Sequence, residues 1–592
     1  MSLLQPPTGH SVFPPQQLRD YAMLADGERG ALVGPRGEIC WLCAPHWDGD
    51  AVFATLIGGD GVYAVTPRGP FVSGGYYEEG SLIWRSRWIT HDSIIECREA
   101  LAFPGENDRL VLLRRVMARQ GTASVRVVLC PCADYGRQPL SDPHNTEGVW
   151  TARTGEHYIR WSGGADARLV DSTGPGRQLV LDLALETGEQ HDLVLEISTT
   201  PPRGRPVDAT RAWTATEQSW AHTIPPLNPT IAPHDASHAY AVLRGMTSAT
   251  GGMVAAATTS LPERAEQGRN YDYRYVWIRD QCYAGQAAAA AGAHPLLDAA
   301  VRFVTAQLHT HGPQLKPAYT THGGPVPDQR SLDLPGYPGG FDRIGNHINR
   351  QFQLDAFGEA LLLLAAAARA GRLDDDGWKG AELAAATIET RWREPDAGIW
   401  ELDDQAWTHS RLICVAGLRG MAAVAPRSRQ ARRWSALAET IFAATAAASL
   451  HPNGYWQRSP NDSRLDAALL LPPLRGALPA DDPRTRTTLH AYRQQLTDRH
   501  HAYRFRHDDR PLEEAEGAFL LCGFVMALAE HRQGNEIAAH TWFERNRAAH
   551  GPAQLYSEEY DIAQHQLRGN LPQAFVHAFM LESAARLAAQ PP

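Results

Sequence analysis

The sequence predicts two unequal units, an N-terminal antiparallel β-sandwich followed by an all-α domain. Before about residue 225, short apolar runs alternate with Gly, Pro, Asp and Asn at a period near two. Close spacing of such short strands is typical of a sandwich. After about residue 235 the chain becomes rich in Ala and Leu at helical spacing.

Eight runs in the first part have the strand pattern, and each is bounded by turn residues. They are 31–33, 38–42, 51–56, 81–89, 110–116, 124–132, 178–185 and 191–197. Two Pro-Pro pairs bracket a stretch of helical character at 209–222, which we expect to link the domains. The predicted division is a sandwich over 1–205, a linker with a helix over 206–234 and a helical domain over 235–592.

Twelve helical segments are predicted in the second part, about one helix and one loop per ~30 residues. They begin near residues 236, 283, 296, 349, 377, 408, 427, 464, 487, 514, 535 and 570. Stretches such as 360–370 and 519–529 are apolar most of the way round, so they must be enclosed on most sides. Six helices inside a ring of six others satisfy this pattern. The alternative, a solenoid of helix pairs, requires a fixed-period repeat that the sequence lacks.

Composition excludes several functional classes. The 592 residues are 43% hydrophobic and 21% charged. Their net charge of −10 argues against a protein that binds nucleic acids or anionic membranes. No apolar run approaches the ~18 residues of a membrane span. Met1–Phe13 has neither a basic nor an apolar leader region, so we expect no signal peptide and a cytoplasmic location.

The sequence contains no pattern for a metal or an organic cofactor, and we expect neither. Cys40 and Cys43 form a CxxC within a strand-like run, with no second pair at zinc spacing, so they are interpreted as buried thiols. There is no phosphate loop, dinucleotide fingerprint or dense cluster of carboxylates or histidines. Whether the chain forms a homo-oligomer is left open.

The densest polar and aromatic segment is 269–280, which reads RNYDYRYVWIRD and precedes a predicted helix. Aromatic faces cover the C–H side of a pyranose, while an Arg–Asp pair can hold its hydroxyls. This composition indicates a sugar site. The alternative is a structural ion pair at the start of a helix.

Two further segments place carboxylates among aromatic residues in loops. They are 398–401 (GIWE), followed by WTHS at 407–410, and 556–561 (YSEEYD). Glycoside hydrolysis requires two carboxyl groups in unlike environments, one protonated and one ionised. Trp400 could desolvate Glu401, and the adjacent Glu558 and Glu559 would raise one pKa by like-charge repulsion.

A fourth acidic segment lies at 511–522. An apolar helix follows Glu513, Glu514 and Glu516 there. These acidic residues could equally stabilise the positive N-terminal end of the helix or take part in the reaction.

Together these motifs resemble glycoside hydrolase family 15, the glucoamylase and bacterial trehalase group, over nearly the whole chain. The matching runs are YAMLAD at 21–26, WLC at 41–43, YDYRYVWIRD at 271–280, RIGN at 343–346, GIWE at 398–401, LDA at 465–467, EGAFLLC at 516–522, SEEYD at 557–561 and GNLPQAF at 569–575. The resemblance implies an (α/α)6 barrel behind the β-sandwich. It also implies hydrolysis of a terminal α-glucoside with inversion.

The resemblance further implies the catalytic pair. The residue after the Trp of GIWE, Glu401, corresponds to the general acid of the family. The first Glu of SEEYD, Glu558, corresponds to the general base, and Glu559 replaces it if the register shifts by one. The carboxyl groups of an inverting pair stand ~6.5–9.5 Å apart.

Seven sugar-binding residues are implied by the same motifs. Trp277, Arg279 and Asp280 would line the pocket for the terminal sugar, Tyr273 would stack beside it and Trp400 would flank the acid. Arg504 and Arg343 correspond more loosely to sugar-binding arginines.

The expected reaction is glucoamylase-like release of β-glucose from the non-reducing end of short α-glucosides, so the expected partner is a small oligosaccharide or disaccharide. The first alternative is trehalose hydrolysis on the same site, and the second is a non-catalytic or biosynthetically recruited member. The chain departs from the family at 457–460, at His347 and Asn349, and at 524–525. These positions concern specificity for the leaving group.

Overall fold

The N-terminal unit consists of two eight-stranded antiparallel sheets. The structure is a computed structural model that describes residues 13–172, 174, 176–264, 270–507 and 510–589. The strands are β1 (Ala22–Ala25), β2 (Gly30–Val33), β3 (Glu38–Cys43), β4 (Ala51–Phe53), β5 (Val62–Pro67), β6 (Val72–Tyr77), β7 (Trp84–Ile89), β8 (Ile94–Leu101), β9 (Arg109–Gln120), β10 (Ala123–Cys130), β11 (Gln138–Thr146), β12 (Val149–Thr154), β13 (His157–Ser162), β14 (Arg168–Asp171), β15 (Arg177–Leu185) and β16 (Gln190–Ser198). A short turn of helix, α1 (Ala133–Gly136), precedes β11.

The strand order shows how the sandwich is built. The first sheet runs β1-β2-β3-β5-β10-β15-β14, with β4 paired to β3, and the second runs β11-β12-β13-β16-β9-β8-β7-β6. In β10 every second side chain is buried from Ala123 to Val127, which follows from the two-residue period of a strand. The eight strands predicted from the sequence are present. The others, such as the largely exposed β11, lack a regular apolar pattern.

The predicted linker helix is α2 (Ala209–Thr223), which begins where the Asp208 side chain accepts a hydrogen bond from the Arg211 N–H. Its two tryptophans face the sandwich. Trp220 stacks on Phe103 with ring centroids 4.1 Å apart. The linker is therefore packed against the sandwich along one apolar face.

The second unit is an (α/α)6 barrel. Its helices are α3 (Pro233–Gly245), α4 (Ile278–Ala290), α5 (His294–His311), α6 (Asp355–Arg369), α7 (Asp375–Arg391), α8 (Thr408–Val424), α9 (Arg429–Ser449), α10 (Leu471–Leu474), α11 (Pro483–Gln495), α12 (Leu512–Ala515), α13 (Leu520–Arg532), α14 (Glu536–Arg547) and α15 (Ala574–Ala588). The inner ring runs α4-α6-α8-α10-α13 and closes through α15, while α3, α5, α7, α9, α11 and α14 lie outside it. The inner helices α4, α6, α8, α13 and α15 are buried over most of their lengths, as the apolar pattern predicts.

Two predicted helix positions are wrong. The segment near Arg464 is a loop, followed by a 3-10 turn at Ala467–Leu470 and the single turn α10, whose interior holds Pro472 and Pro473. The segment near residue 514 holds only the short α12, and the long helix α13 begins at Leu520. Prolines limit α10 because they remove backbone donors.

Short strand pairs close the loops at the ends of the barrel. They are β17 (Val276–Trp277), β18 (Ala318–Tyr319), β19 (Arg330–Ser331), β20 (Arg343–Ile344), β21 (Thr497–Asp498), β22 (His501–Ala502), β23 (Ala518–Phe519), β24 (Glu559–Asp561) and β25 (Gln566–Arg568). Within the described ranges, each helix is too short or too polar to cross a membrane. All eight cysteines are buried free thiols.

A buried ion pair joins the two domains. Arg274 and Asp272 form a salt bridge of 2.7 Å, and both side chains are almost fully buried. Arg274 also donates a hydrogen bond of 2.7 Å to the backbone oxygen of Gly49 in the sandwich. Asp272 accepts one from the Gly345 N–H in a barrel loop. Each charge is therefore satisfied by both its partner and the backbone of a neighbouring loop.

We expect Arg274→Ala to destabilise the protein by about 3–5 kcal/mol, because it leaves the Asp272 carboxylate buried without its partner. The matched control is Arg126→Ala, which breaks the exposed pair with Asp182 on the sandwich and should cost at most about 1 kcal/mol. The midpoint concentration of guanidinium chloride for unfolding measures the stability of both variants. Equal midpoints for the two variants would contradict this role for Arg274.

Candidate active site

The segment 270–280 divides its side chains between two environments. Asp272 and Arg274 point toward the sandwich, as described above. Tyr273 and Trp277 lie together on the other side, with ring centroids 5.5 Å apart at 78°. The extended backbone before α4 produces this alternation, because successive side chains of an extended chain point in opposite directions.

Trp277 connects this segment to the predicted acid. Its indole N–H donates a hydrogen bond of 2.8 Å to the Glu401 carboxylate. Trp277 is held in place by strand pairing, since its Cα partner in β18 is Ala318. The predicted acid and the predicted sugar-binding Trp are therefore in direct contact.

Arg279 and Asp280 occupy the first turn of the inner helix α4. They form an ion pair of 3.3 Å, and the Arg279 guanidinium lies 3.7 Å from the Glu401 carboxylate. Arg279 also donates to the backbone oxygen of Ile399 at 3.0 Å. Burial raises the pKa of Asp280 to about 6, although Arg279 opposes this rise. The pair is thus buried close to Glu401.

Glu401 sits in a loop between α7 and α8 that a second buried ion pair fixes. Asp396 forms a 2.6 Å salt bridge with Arg411 and accepts hydrogen bonds from the Gly398 N–H and the Ser410 hydroxyl. Glu401 has a φ of 56°, a left-handed conformation that costs a residue with a side chain about 1 kcal/mol or more. The loop therefore holds this carboxyl in a strained position, and its side chain remains 27% exposed.

Trp400 is fixed by a residue of the LDA motif. Its indole N–H donates a 2.6 Å hydrogen bond to Asp466, which also pairs with Arg458 at 3.3 Å. The Trp400 ring meets Phe519 edge-on at 5.4 Å. The Trp400 side chain is half-buried.

The predicted base, Glu558, lies beside the Tyr273 hydroxyl. That hydroxyl is 3.5 Å from one Glu558 oxygen and 3.4 Å from a Glu263 oxygen. Glu558 is 4% exposed. Tyr273 thus contacts the predicted base through its hydroxyl, and its ring contacts the ring of Trp277. Trp277 in turn contacts the predicted acid.

The neighbouring Glu559 has a different environment. Its carboxylate accepts a hydrogen bond of 2.8 Å from the Gly517 N–H and lies 3.3 Å from Arg504. Its backbone pairs with Phe519 in β23 and with Arg568 in β25. The two carboxyl groups have different partners: that of Glu558 lies beside the Tyr273 hydroxyl, whereas that of Glu559 binds Gly517 and Arg504.

Three buried carboxyl groups contact Arg504. Its guanidinium lies 2.7 Å from Glu516, 3.3 Å from Glu559 and 3.5 Å from Glu263. Burial, and then repulsion from Glu263, raise the pKa of Glu558 well above its usual value, while Arg504 opposes this. Burial and the same Glu263 raise the pKa of Glu559 as well.

Glu516 behaves in the opposite way. Burial acts to raise its pKa, but Arg504 and His507 overcome burial and hold that pKa at about 2. Glu516 therefore stays ionised as the counter-ion of Arg504. Arg504 lies in the cluster around the predicted base, where it already holds carboxylates.

Arg343 is placed differently from the other predicted residues. It lies on the exposed strand β20, and its guanidinium is 5.7 Å from the Phe341 ring. Its backbone oxygen accepts hydrogen bonds from Thr259 and Ser260. Its recorded contacts are with these neighbours, whereas those of Tyr273, Trp277, Arg279 and Asp280 link them to one another or to the two predicted catalytic residues. Arg269 and the Glu513 side chain lie outside the described residues.

Sequence reasoning missed Glu263 and assigned no role to Asp466. Glu263 lies in a loop with no motif, and only the fold brings it to Tyr273 and Arg504. Asp466 stood in the quoted LDA run, so its position between Trp400 and Arg458 had a signal in the sequence.

A cavity borders the Glu401 loop. It is lined by Ala397, Gly398, Ile399, Trp400, Leu402, Trp407, His409, Arg458, Asp466 and Leu469. Burial lowers the pKa of His409 to about 3, so its ring is neutral at pH 7. Both ring nitrogens are buried without a hydrogen-bond partner in the described part of the chain.

Comparisons with known proteins show which family the chain resembles over its two domains. Residues 237–585 match the model of "Glycosyl hydrolases family 15", and residues 13–206 match "Trehalase-like, N-terminal". The trehalase of Mycobacterium tuberculosis is 31% identical, covering 97% of this chain and 90% of that protein. The trehalase of Mycolicibacterium smegmatis is also 31% identical, covering 98% and 92%.

A solved structure shows the same fold. A bacterial glucoamylase complexed with acarbose superposes with a TM-score of 0.72 at 13% identity, covering 97% of this chain and 94% of that one. The family model spans more than half of the chain, and the relatives extend the match to nearly all of it. The protein is therefore a glycoside hydrolase, and it belongs to glycosyl hydrolase family 15.

Proposed function

We propose that the protein hydrolyses α,α-trehalose to two glucose molecules with inversion at the attacked carbon. The observation that supports trehalose is the similarity to trehalases over 97–98% of the chain, including the sandwich. Trehalose hydrolysis was the first alternative to the glucoamylase-like reaction that the sequence led us to expect. Both substrates present a terminal α-glucose, so the same residues would bind the first ring.

In this proposal Glu401 is the general acid. It donates a proton to the glycosidic oxygen as the bond from that oxygen to C1 breaks. The Trp277 indole N–H, 2.8 Å away, orients the carboxyl. The Glu401 side chain is 27% exposed, which leaves its carboxyl group accessible to a substrate oxygen.

Glu558 is the general base. It removes a proton from a water molecule as the water oxygen forms a bond to C1 from the opposite face of the ring. The Tyr273 hydroxyl, 3.5 Å from Glu558, helps to position this water. Exchange with solvent then returns the proton to Glu401 and removes it from Glu558.

The Arg279–Asp280 ion pair and the rings of Trp277 and Trp400 bind the first glucose. Arg279 and Asp280 offer charged hydrogen-bonding groups for ring hydroxyls, and Trp277 and Trp400 offer apolar faces. Because these groups are held by buried contacts, the ring is oriented before the reaction begins.

The substrate is tested with trehalose, maltose, isomaltose and starch at equal concentration. We expect trehalose to give the highest kcat/KM, and proton NMR to show α- and β-glucose in equal initial amounts. Inversion produces one β-glucose from the attacked ring, while the departing ring keeps its α configuration. Faster release from maltose or isomaltose would restore the glucoamylase-like assignment, and initial release of α-glucose alone would refute inversion.

We expect Glu558→Gln to reduce kcat on trehalose by about 10²–10⁴-fold with little change in substrate binding, since it removes the proton acceptor. The matched variant Glu559→Gln should lose much less, because its carboxylate binds Gly517 and Arg504 and not Tyr273. Steady-state kinetics and isothermal titration with trehalose measure the two effects. If the losses are reversed between the two variants, Glu559 is the base.

The pH profile provides a third test. Because the pKa of Glu558 is raised, kcat/KM should fall with decreasing pH at a pH well above the usual range for Glu. Glu263→Gln removes a negative neighbour of Glu558 and lowers the pKa of Glu558. The acidic limb of the kcat/KM profile should therefore shift to lower pH. The control Glu439→Gln, at an exposed position on α9, should leave the profile unchanged. An unshifted limb in Glu263→Gln would contradict this electrostatic coupling.

A further inference from the structure

Three residues distant in sequence meet where the sandwich contacts the barrel. They are Glu28 in the turn between β1 and β2, His46 in the loop between β3 and β4, and His322 in the loop after β18. One potential ligand atom from each lies within 4.8 Å of the other two. Two imidazoles and one carboxylate form a donor set that suits divalent transition metals.

The three side chains are already oriented by their surroundings. Glu28 is 3% exposed, and one of its oxygens accepts a hydrogen bond of 2.7 Å from the Ala249 N–H. The second carboxylate oxygen is left for another partner. The His322 Nδ1 atom lies 3.3 Å from the Thr321 hydroxyl. Such outer contacts fix the ring orientation of metal-binding histidines.

His46 has a buried nitrogen without a partner. Its Nδ1 atom makes no hydrogen bond within the described ranges, and its ring lies 4.5 Å from the His322 ring at 63°. Burial, His322 and Arg29 lower the pKa of His46, while Asp48 opposes them. The unpartnered Nδ1 atom of His46 is therefore available to bind a metal ion.

The local charge permits a cation. Arg29 is the nearby positive group, but Asp26 neutralises it across 3.1 Å. Glu28 and Asp48 add negative charge near His46. A metal ion would also provide a partner for the buried Nδ1 atom of His46.

We propose that Glu28, His46 and His322 bind one divalent transition-metal ion, with Zn²⁺ as the preferred ion among those commonly available. Ligand atoms around tetrahedral Zn²⁺ need to approach more closely than 4.8 Å, which rotation of the exposed His322 side chain can provide. Mg²⁺ requires an octahedral set of oxygen ligands, so this site discriminates against it.

The site would join two turns of the sandwich to a barrel loop beside the active site. The His322 loop follows Ala318, whose Cα partner across the β17–β18 pair is Trp277. Trp277 is the residue that donates to Glu401. Metal binding would therefore stabilise the strand that carries Trp277, in addition to the interface between the domains.

The test uses the full chain without a histidine tag, stripped of metal with a chelator. Isothermal titration with ZnCl₂ should show one tight site per chain, MgCl₂ should show none, and Zn²⁺ should raise Tm. His322→Asn should abolish the tight site, since it removes one of three ligands. His322 is exposed, so this variant should fold normally. The matched control His91→Asn, at an exposed turn of the sandwich, should bind Zn²⁺ like the parent.

His46→Asn and Glu28→Gln should also abolish the tight site, and Glu28→Gln keeps an oxygen to accept from Ala249. Absence of a tight Zn²⁺ site in the parent chain, or its survival in His322→Asn, would overturn the proposal. Trehalose hydrolysis is assayed separately, so failure of the metal site is distinguishable from failure of the proposed function.

Discussion

The buried ion pair between Asp272 and Arg274 is the constraint on which the candidate active site depends. It fixes the extended backbone before α4 between a sandwich loop and a barrel loop. Because the backbone is extended there, anchoring one set of side chains toward the sandwich turns Tyr273 and Trp277 to the opposite side. The sandwich therefore supports the segment that carries Tyr273 and Trp277.

The two predicted catalytic residues have different electrostatic surroundings. Glu401 lies on a strained loop, beside Arg279 and the Trp277 indole. Glu558 lies in a cluster where a single guanidinium, that of Arg504, faces several carboxyl groups. Arg504 opposes the rise in the pKa values of Glu558 and Glu559 but does not cancel the effects of burial and of repulsion from Glu263. The pKa of Glu558 is therefore sensitive to each neighbouring carboxyl group.

Much of the fold was predictable from residue patterns. The linker helix was expected at 209–222 and occurs at Ala209–Thr223, because two Pro-Pro pairs delimit it and Asp208 caps it. The enclosed inner helices were recognisable since they are apolar on nearly all sides. The sequence reasoning failed where local pattern is weak: at the exposed β11, and at residues 464–474, where prolines reduce an inner helix to a single turn.

The sequence alone determined the family, the two-domain architecture and the motifs that contain Glu401 and Glu558, because these depend on local runs of residues. Only the tertiary structure decided which of Glu558 and Glu559 lies beside the Tyr273 hydroxyl, since Tyr273 is 285 residues away from Glu558 in the sequence. It also brought Glu263 to the predicted base and His46 to His322. Such contacts join residues separated by hundreds of positions, and no local pattern encodes a charge environment that arises only when those segments pack together.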